Sequence, residues 1–177
     1  MNQIRTLLAQ KKVKRNFQIP MKKERDFYQI SLKVIIKNDS SEILILNADP
    51  NGSFAGFYDF PGGRINTDEF TTPFFDIIKR EILEEVGNIK FVLSSKPVAV
   101  GRHLIPASMS KNGSDIHILY LFFEAKYISG KITISNEHTG FKWTDFSKEK
   151  PIKLLKSGNL EGIEMYLSKT TKKDKIL

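Results

Sequence analysis

Pro73 to Val86 constrains the chain more than any other segment, because two separate patterns in it both require a helix. Phe75, Ile78, Ile82 and Val86 recur at helical spacing and predict an apolar stripe seated on a core. Beside that stripe, Glu81, Glu84 and Glu85 fall within an arc of roughly 100°. Thr72 is the expected N-cap, Pro73 suits the first turn, and Gly87 is the expected stop. Carboxylates at i, i+3 and i+4 repel one another, and the nearby helix C-terminus disfavours negative charge. A solvated acidic face is the plain explanation of such a run. A hard divalent cation is the other, since Mg²⁺ takes oxygen ligands and holds substrate phosphates at the same time.

The preceding segment favours the cation. In Phe60-Pro61-Gly62-Gly63-Arg64, two glycines let the backbone turn tightly and approach a ligand, and Arg64 offers a cation for phosphate. Glu69 adds a fourth carboxylate. Together these residues resemble the Nudix box, G-x5-E-x7-R-E-U-x-E-E-x-G-U, where U is a bulky apolar residue. Gly63, Glu69, Arg80, Glu81, Ile82, Glu84, Glu85 and Gly87 match by type. Two positions depart from it. Ten residues separate Glu69 from Arg80 where the pattern has seven, an insertion of three that includes Phe70-Thr71-Thr72 and puts the placement of Glu69 in question. Asn88 stands where the last apolar residue belongs, with Ile89 following. The strand order and the lead-in Phe57-Tyr58-Asp59-Phe60 extend the resemblance over residues 27–145.

The resemblance implies an α/β/α sandwich around a mixed β-sheet. It also implies hydrolysis of the pyrophosphate linkage of a nucleoside diphosphate joined to another moiety, with Mg²⁺ or Mn²⁺ as cofactor. The expected substrate is a small nucleotide or nucleotide-sugar. Carried onto this sequence, the pattern makes Glu81 and Glu85 the principal metal ligands, with Glu84 close by. Arg80 would orient Glu81 and its neighbours through charge-assisted hydrogen bonds. Gly62 and Gly63 would shape the loop that brings backbone groups to the substrate. The general base stays open between Glu81 and Glu137, the latter in Ser135-Asn136-Glu137-His138 ahead of Phe141-Lys142-Trp143. An ordinary turn carboxylate is the alternative for Glu137. Arg102, beside His103, is a further candidate for phosphate, although an exposed strand-end arginine reads the same way. His117 reads as an outer-face strand residue and Trp143 as a packing residue, while Phe57 and Tyr58 fit nucleobase stacking and core packing equally well.

Charge and composition limit the alternatives. The 177 residues carry a formal net charge of +8 and no cysteine, which excludes a disulfide framework, a thiolate zinc site and a cysteine nucleophile. Residues 1–26 hold eight Lys/Arg against Glu24 and Asp26, a balance of +6, and residues 169–177 contribute +3. Residues 27–168 therefore carry −1. We expect a basic arm (1–26), a catalytic domain (27–168) and a Lys-rich tail (169–177). The basic ends leave room for an RNA 5′-end substrate. The neutral body and the lack of interleaved aromatic and basic residues argue for a small molecule instead. A homodimer interface is another use for the arm, and a non-catalytic nucleotide-binding domain is the alternative to an enzyme. No apolar run is long enough to cross a bilayer, and the N-terminal residues lack the apolar core of a signal peptide, so the expected location is cytoplasmic.

Strands are expected over Phe27–Ile36, with apolar residues at period two and one buried face, and over Ile43–Leu46. Others are expected over Phe91–Val100, Ile116–Ala125 and, more weakly, Lys131–Ile134. A terminal helix is expected over Leu160–Leu167.

Overall fold

A computed structural model of the chain describes residues 25–173. The basic arm lies outside the described residues except for its last two positions, as does the chain beyond residue 173. β1 (Tyr28–Lys37) is the centre of the sheet. It runs parallel to β6 (Ile116–Ser129) with Tyr28 opposite His117 and Lys37 opposite Lys126. β2 (Ile43–Asn47) lies antiparallel on its other side and carries both β3 (Tyr58–Asp59) and β7 (Gly140–Thr144). β4 (Lys90–Leu93) pairs with the end of β6, and β5 (Ala99–Ile105) with its beginning.

Helices cover both faces. α1 (Phe74–Glu85) packs on Leu32, Val34, Ile36, Leu44 and Leu46, and α2 (Ser157–Lys173) packs on the opposite face over Ile35, Ile45, Tyr120 and Phe122. The result is the expected α/β/α sandwich around a mixed sheet. Because both faces of β1 are covered, residues 31–36 are all buried, including Ser31, Lys33 and Ile35. The one-faced strand expected from period two is therefore corrected to a doubly covered one, as a parallel central strand requires.

Several expected boundaries move. Pro73, not Thr72, occupies the N-cap of α1, without a side-chain cap. Ile77 replaces Phe75 in the buried stripe with Ile78, Ile82 and Val86, while Phe75 is about half exposed. Gly87 follows the helix at φ +92°, as a C-terminal stop requires. The single strand expected over Phe91–Val100 is two strands, β4 and β5, because Ser94-Ser95-Lys96-Pro97 interrupts it. Residues 131–134 form no strand. Thr133 and Ser135 instead donate their N–H groups to the carbonyls of Val86 and Glu85, at 2.8 and 3.2 Å, closing the free C-terminal end of α1. α2 starts before Leu160 and continues past Leu167.

Candidate active site

The site forms where three segments converge on the last two turns of α1. The first is the Pro61-Gly62-Gly63 loop leading from β3. β1 holds it with backbone donors: Leu32 N–H bonds Gly63 O at 2.9 Å and Val34 N–H bonds Pro61 O at 2.8 Å. Gly62 has φ +115°, and a Cβ there would run into the Leu32 carbonyl, so only glycine fits. Its N–H donates to Glu85 Oε2 at 2.7 Å. A Cβ on Gly63 would strike the Glu81 carboxylate. The two glycines let the backbone lie directly against the acidic face of the helix.

The second segment is the loop carrying Glu69. A single 3₁₀ turn, Thr67–Glu69, places that carboxylate against Arg80 despite the insertion, which is accommodated by exposing Phe70. Arg80 Nε and Nη2 donate to Glu69 Oε1 and Oε2 at 2.7 and 3.0 Å. Arg80 Nη1 also lies 2.8 Å from Glu81 Oε1 and 3.1 Å from Glu84 Oε2. One guanidinium thus bridges three carboxylates, and hydrogen bonding to Arg80 is the main cause that holds the Glu69 carboxyl below the usual range. Burial pushes the Glu81 carboxyl up; Arg80 opposes this, and repulsion from Glu85 and Glu84 adds to it.

The third segment is residues 135–138, drawn to α1 by the bond from Ser135 N–H to Glu85 O. Glu137 and Ser135 join Gly63, Arg64, Asn66, Arg80, Glu81, Glu84 and Glu85 around a cavity of about 370 Å³. His138 enters the site as well. Its side chain is 7% exposed, with Nε2 3.3 Å from Glu85 Oε1. Burial lowers its proton affinity, but the Glu85 carboxylate and Asp59 together raise it above the ordinary imidazole value.

Of the residues singled out in the sequence, Arg80, Glu81, Glu84, Glu85, Glu137, Gly63 and Arg64 surround one cavity, and Gly62 lies behind it. Arg102 does not join them. It lies on β5 with its side chain largely exposed, in a separate depression with Glu161 and Met165, and its N–H donates to Glu161 Oε2 at 3.0 Å. Alternation along β5 turns the neighbouring His103 inward, where it stacks on Phe54 at 4.4 Å. His117 packs near Tyr28 and meets Asp26 at 2.6 Å, away from this site. Trp143 packs edge-on against Tyr127, and Lys142 and Lys156 lie over the rings of Tyr58 and Phe57.

Sequence reasoning missed Lys33 and Asp59. Lys33 is buried and reaches Asp59 Oδ2 at 2.9 Å. An inward lysine in an apolar strand has no local signal, because its partner lies 26 residues away.

An oxygen-only set of carboxylates suits a hard cation. The buried Glu81 and Glu85 and the exposed Glu84 are the donors such an ion would neutralise, and the charges of Glu85 and Glu84 both raise the proton affinity of Glu81. Among the described residues no group of three or more His, Cys, Asp or Glu is arranged to hold an ion as it stands. Arg80 engages Glu81 and Glu84, while Glu85 is turned to Gly62 and His138. The donor chemistry fits a divalent ion once these side chains turn into the cavity.

No family model matches the chain, and neither does any curated protein. Solved structures do. A MutT protein from Methanosarcina mazei Go1 aligns over 86% of this chain and 99% of its own, at 22% identity and TM-score 0.63. A NUDIX hydrolase from Nitrosomonas europaea covers 81% of this chain and 90% of its own, at 19% identity and TM-score 0.56. An ADP-ribose pyrophosphatase from Streptococcus suis covers 81% of this chain and 92% of its own, at 15% identity and TM-score 0.55. The chain has the Nudix fold.

Proposed function

We propose that this chain is a Nudix hydrolase that cleaves the pyrophosphate linkage of a nucleoside diphosphate joined to another moiety, with Mg²⁺ or Mn²⁺. The observation that carries this reading is the convergence of Glu81, Glu84, Glu85 and Glu137 with Gly63 and Arg64 on one cavity of about 370 Å³. The pattern of these residues in the sequence and the fold that brings them together both support it. The ADP-ribose pyrophosphatase among the structural neighbours is consistent with a small nucleotide substrate.

Glu81, Glu84 and Glu85 would hold the divalent ions, which supply charge neutralisation on the diphosphate and a more acidic bound water. Arg80, fixed by Glu69, sets the direction of Glu81 and Glu84. The Gly62 N–H and His138 set that of Glu85. Arg64 lies at the cavity rim, where a guanidinium can meet phosphate oxygens. Hydrolysis adds water oxygen to one phosphorus and releases the other phosphate as the bridging P–O bond breaks. The water proton passes to a carboxylate, for which Glu137 and Glu81 both line the cavity.

A second reading is a nucleotide-binding domain without turnover. It is favoured by one observation, that the three helix carboxylates are engaged by Arg80, Gly62 and His138 rather than gathered around a common point. A screen of nucleoside triphosphates, dinucleoside polyphosphates, ADP-ribose and nucleotide-sugars with Mg²⁺ decides between them. We expect turnover of at least one class, abolished by chelation and by Glu85→Gln. Binding of a nucleotide with no metal-dependent turnover across the panel would establish the second reading.

A further inference from the structure

The Pro61-Gly62-Gly63 loop presents four successive carbonyls, at residues 60 to 63, and β1 binds all four. The backbone N–H groups of Val34 and Leu32 take Pro61 O and Gly63 O. The other two, Phe60 O and Gly62 O, both accept from Lys33 Nζ, at 3.1 and 2.8 Å. The same nitrogen pairs with Asp59 Oδ2 at 2.9 Å, and Lys33 is 6% exposed overall. Asp59 in turn accepts at Oδ1 from Phe60 N–H at 2.7 Å and from Asn159 Nδ2, on α2, at 2.9 Å. One buried side chain therefore fixes every other peptide of the loop, on the face the backbone bonds do not reach.

We propose that Lys33 is a positioning residue for the site, locking the peptides on either side of the one that carries Gly62 N–H so that this N–H stays aimed at Glu85. This rests on the hydrolase reading only for its catalytic consequence. The peptide that carries Gly62 N–H is held by Val34 through Pro61 O and lies between the two peptides that Lys33 holds through Phe60 O and Gly62 O. With a neutral apolar side chain at position 33, two buried carbonyls lose their donor, and such groups are costly to leave unpaired. The loop then reorients to rehydrate them, and Glu85 loses the bond that sets its carboxylate. Lys33 bonds neither Glu85 nor the cavity lining, but its charge also reaches His138, so exchange at Gly62 is the readout that isolates its effect through the loop.

The test uses the full chain as wild type, Lys33→Met and the double variant Lys33→Met with Asp59→Asn. The double variant removes the carboxylate that the single change leaves unpaired. Amide hydrogen exchange reads the loop, electron paramagnetic resonance of Mn²⁺ titrations reads the carboxylates, and kcat and KM are measured on whichever substrate the panel yields. In the wild type Gly62 N–H exchanges as slowly as the β1 amides of Leu32 and Val34; rapid exchange there overturns the proposal without any variant. Both variants should raise Gly62 exchange by ~10-fold or more while Ile35 and Ile36 stay protected. Their Mn²⁺ affinity should fall by about 10-fold, with kcat lowered comparably and KM within about threefold. Exchange and Mn²⁺ affinity within about twofold of wild type in a folded variant would overturn it. Absence of turnover in the wild type would sink the hydrolase reading alone, because exchange and Mn²⁺ binding still report on Lys33.

Discussion

Arg80 grips Glu69 with two nitrogens, at 2.7 and 3.0 Å, across a loop that carries three more residues than the family pattern. The fork leaves Nη1 free to reach Glu81 and Glu84 on its own helix. Glu69 thus acts on the acidic face at one remove. Changing Glu69 to Gln keeps the shape but removes the charge that holds Arg80 in place. Partners of this kind typically cost 10- to 100-fold when removed, so we expect kcat to fall by about 10-fold with KM little changed. Steady-state kinetics of Glu69→Gln check this; a rise in KM alone would place Glu69 on the substrate instead.

Glu137 and Glu81 compete for the role of general base. Both line the cavity, but Glu81 is largely buried and held by Arg80, whereas Glu137 is exposed and carried by a loop pinned to α1. If Glu137 takes the water proton, Glu137→Gln lowers kcat by roughly 10²- to 10⁴-fold while Mn²⁺ affinity stays close to wild type. Glu81→Gln should lower both. A Glu137→Gln enzyme within about threefold of wild type assigns the proton to Glu81.

Much of this was legible in the residues, and the failures share a cause. Spacing alone placed the acids of α1 on one face, and the glycines ahead of it marked a close approach that the Glu81 carboxylate does occupy. What the sequence hid was the effect of distant covering elements. Period two in Ile30, Leu32, Val34 and Ile36 suggested one wet face, but α2, more than 100 residues downstream, buries the other. The same cover turns Lys33 from an apparent surface charge into a buried one. Residues 131–134 have strand composition, yet the N–H groups of Thr133 and the following Ser135 bond the end of α1 rather than a neighbouring strand. Arg102 and His103 alternate on β5, and nothing local says which side α2 occupies.

His103 gives the protein an acid-sensitive point outside the carboxylate site. The residue is 8% exposed, and its ring lies between Ser157 Oγ and Ser53 Oγ at 3.0 Å each and stacks on Phe54. Burial lowers its proton affinity below the ordinary value of 6.5. The unfolded chain therefore takes up the proton first as pH falls below 6.5, which favours unfolding. The penalty grows as pH drops from there and levels off once the folded-state value is passed. Thermal melts between pH 7.5 and 5 should show a smaller loss of Tm for His103→Gln than for wild type. An equal loss in both would mean that other groups control the acid limb.

The sharpest check on the packing of α1 compares two of its neighbours. Ile82 is 1% exposed and sits among Leu32, Val34, Ile78 and Val86 beneath the acidic face, whereas Leu83 is 57% exposed one position later. Truncating Ile82 to Ala removes buried methyl groups and leaves a void under the helix, at a cost of about 2–5 kcal/mol. Leu83→Ala removes comparable carbon from a side chain already facing water, and should change stability by no more than about 0.5 kcal/mol. Because Glu81 adjoins Ile82 and Glu85 lies three residues on along the same helix, the void should also disturb their placement. We therefore expect Ile82→Ala to lower metal-dependent turnover even at temperatures where it stays folded, with Leu83→Ala unaffected. Urea unfolding and kcat measured on the same two variants test both halves; equal destabilisation of the two would contradict the register assigned to α1.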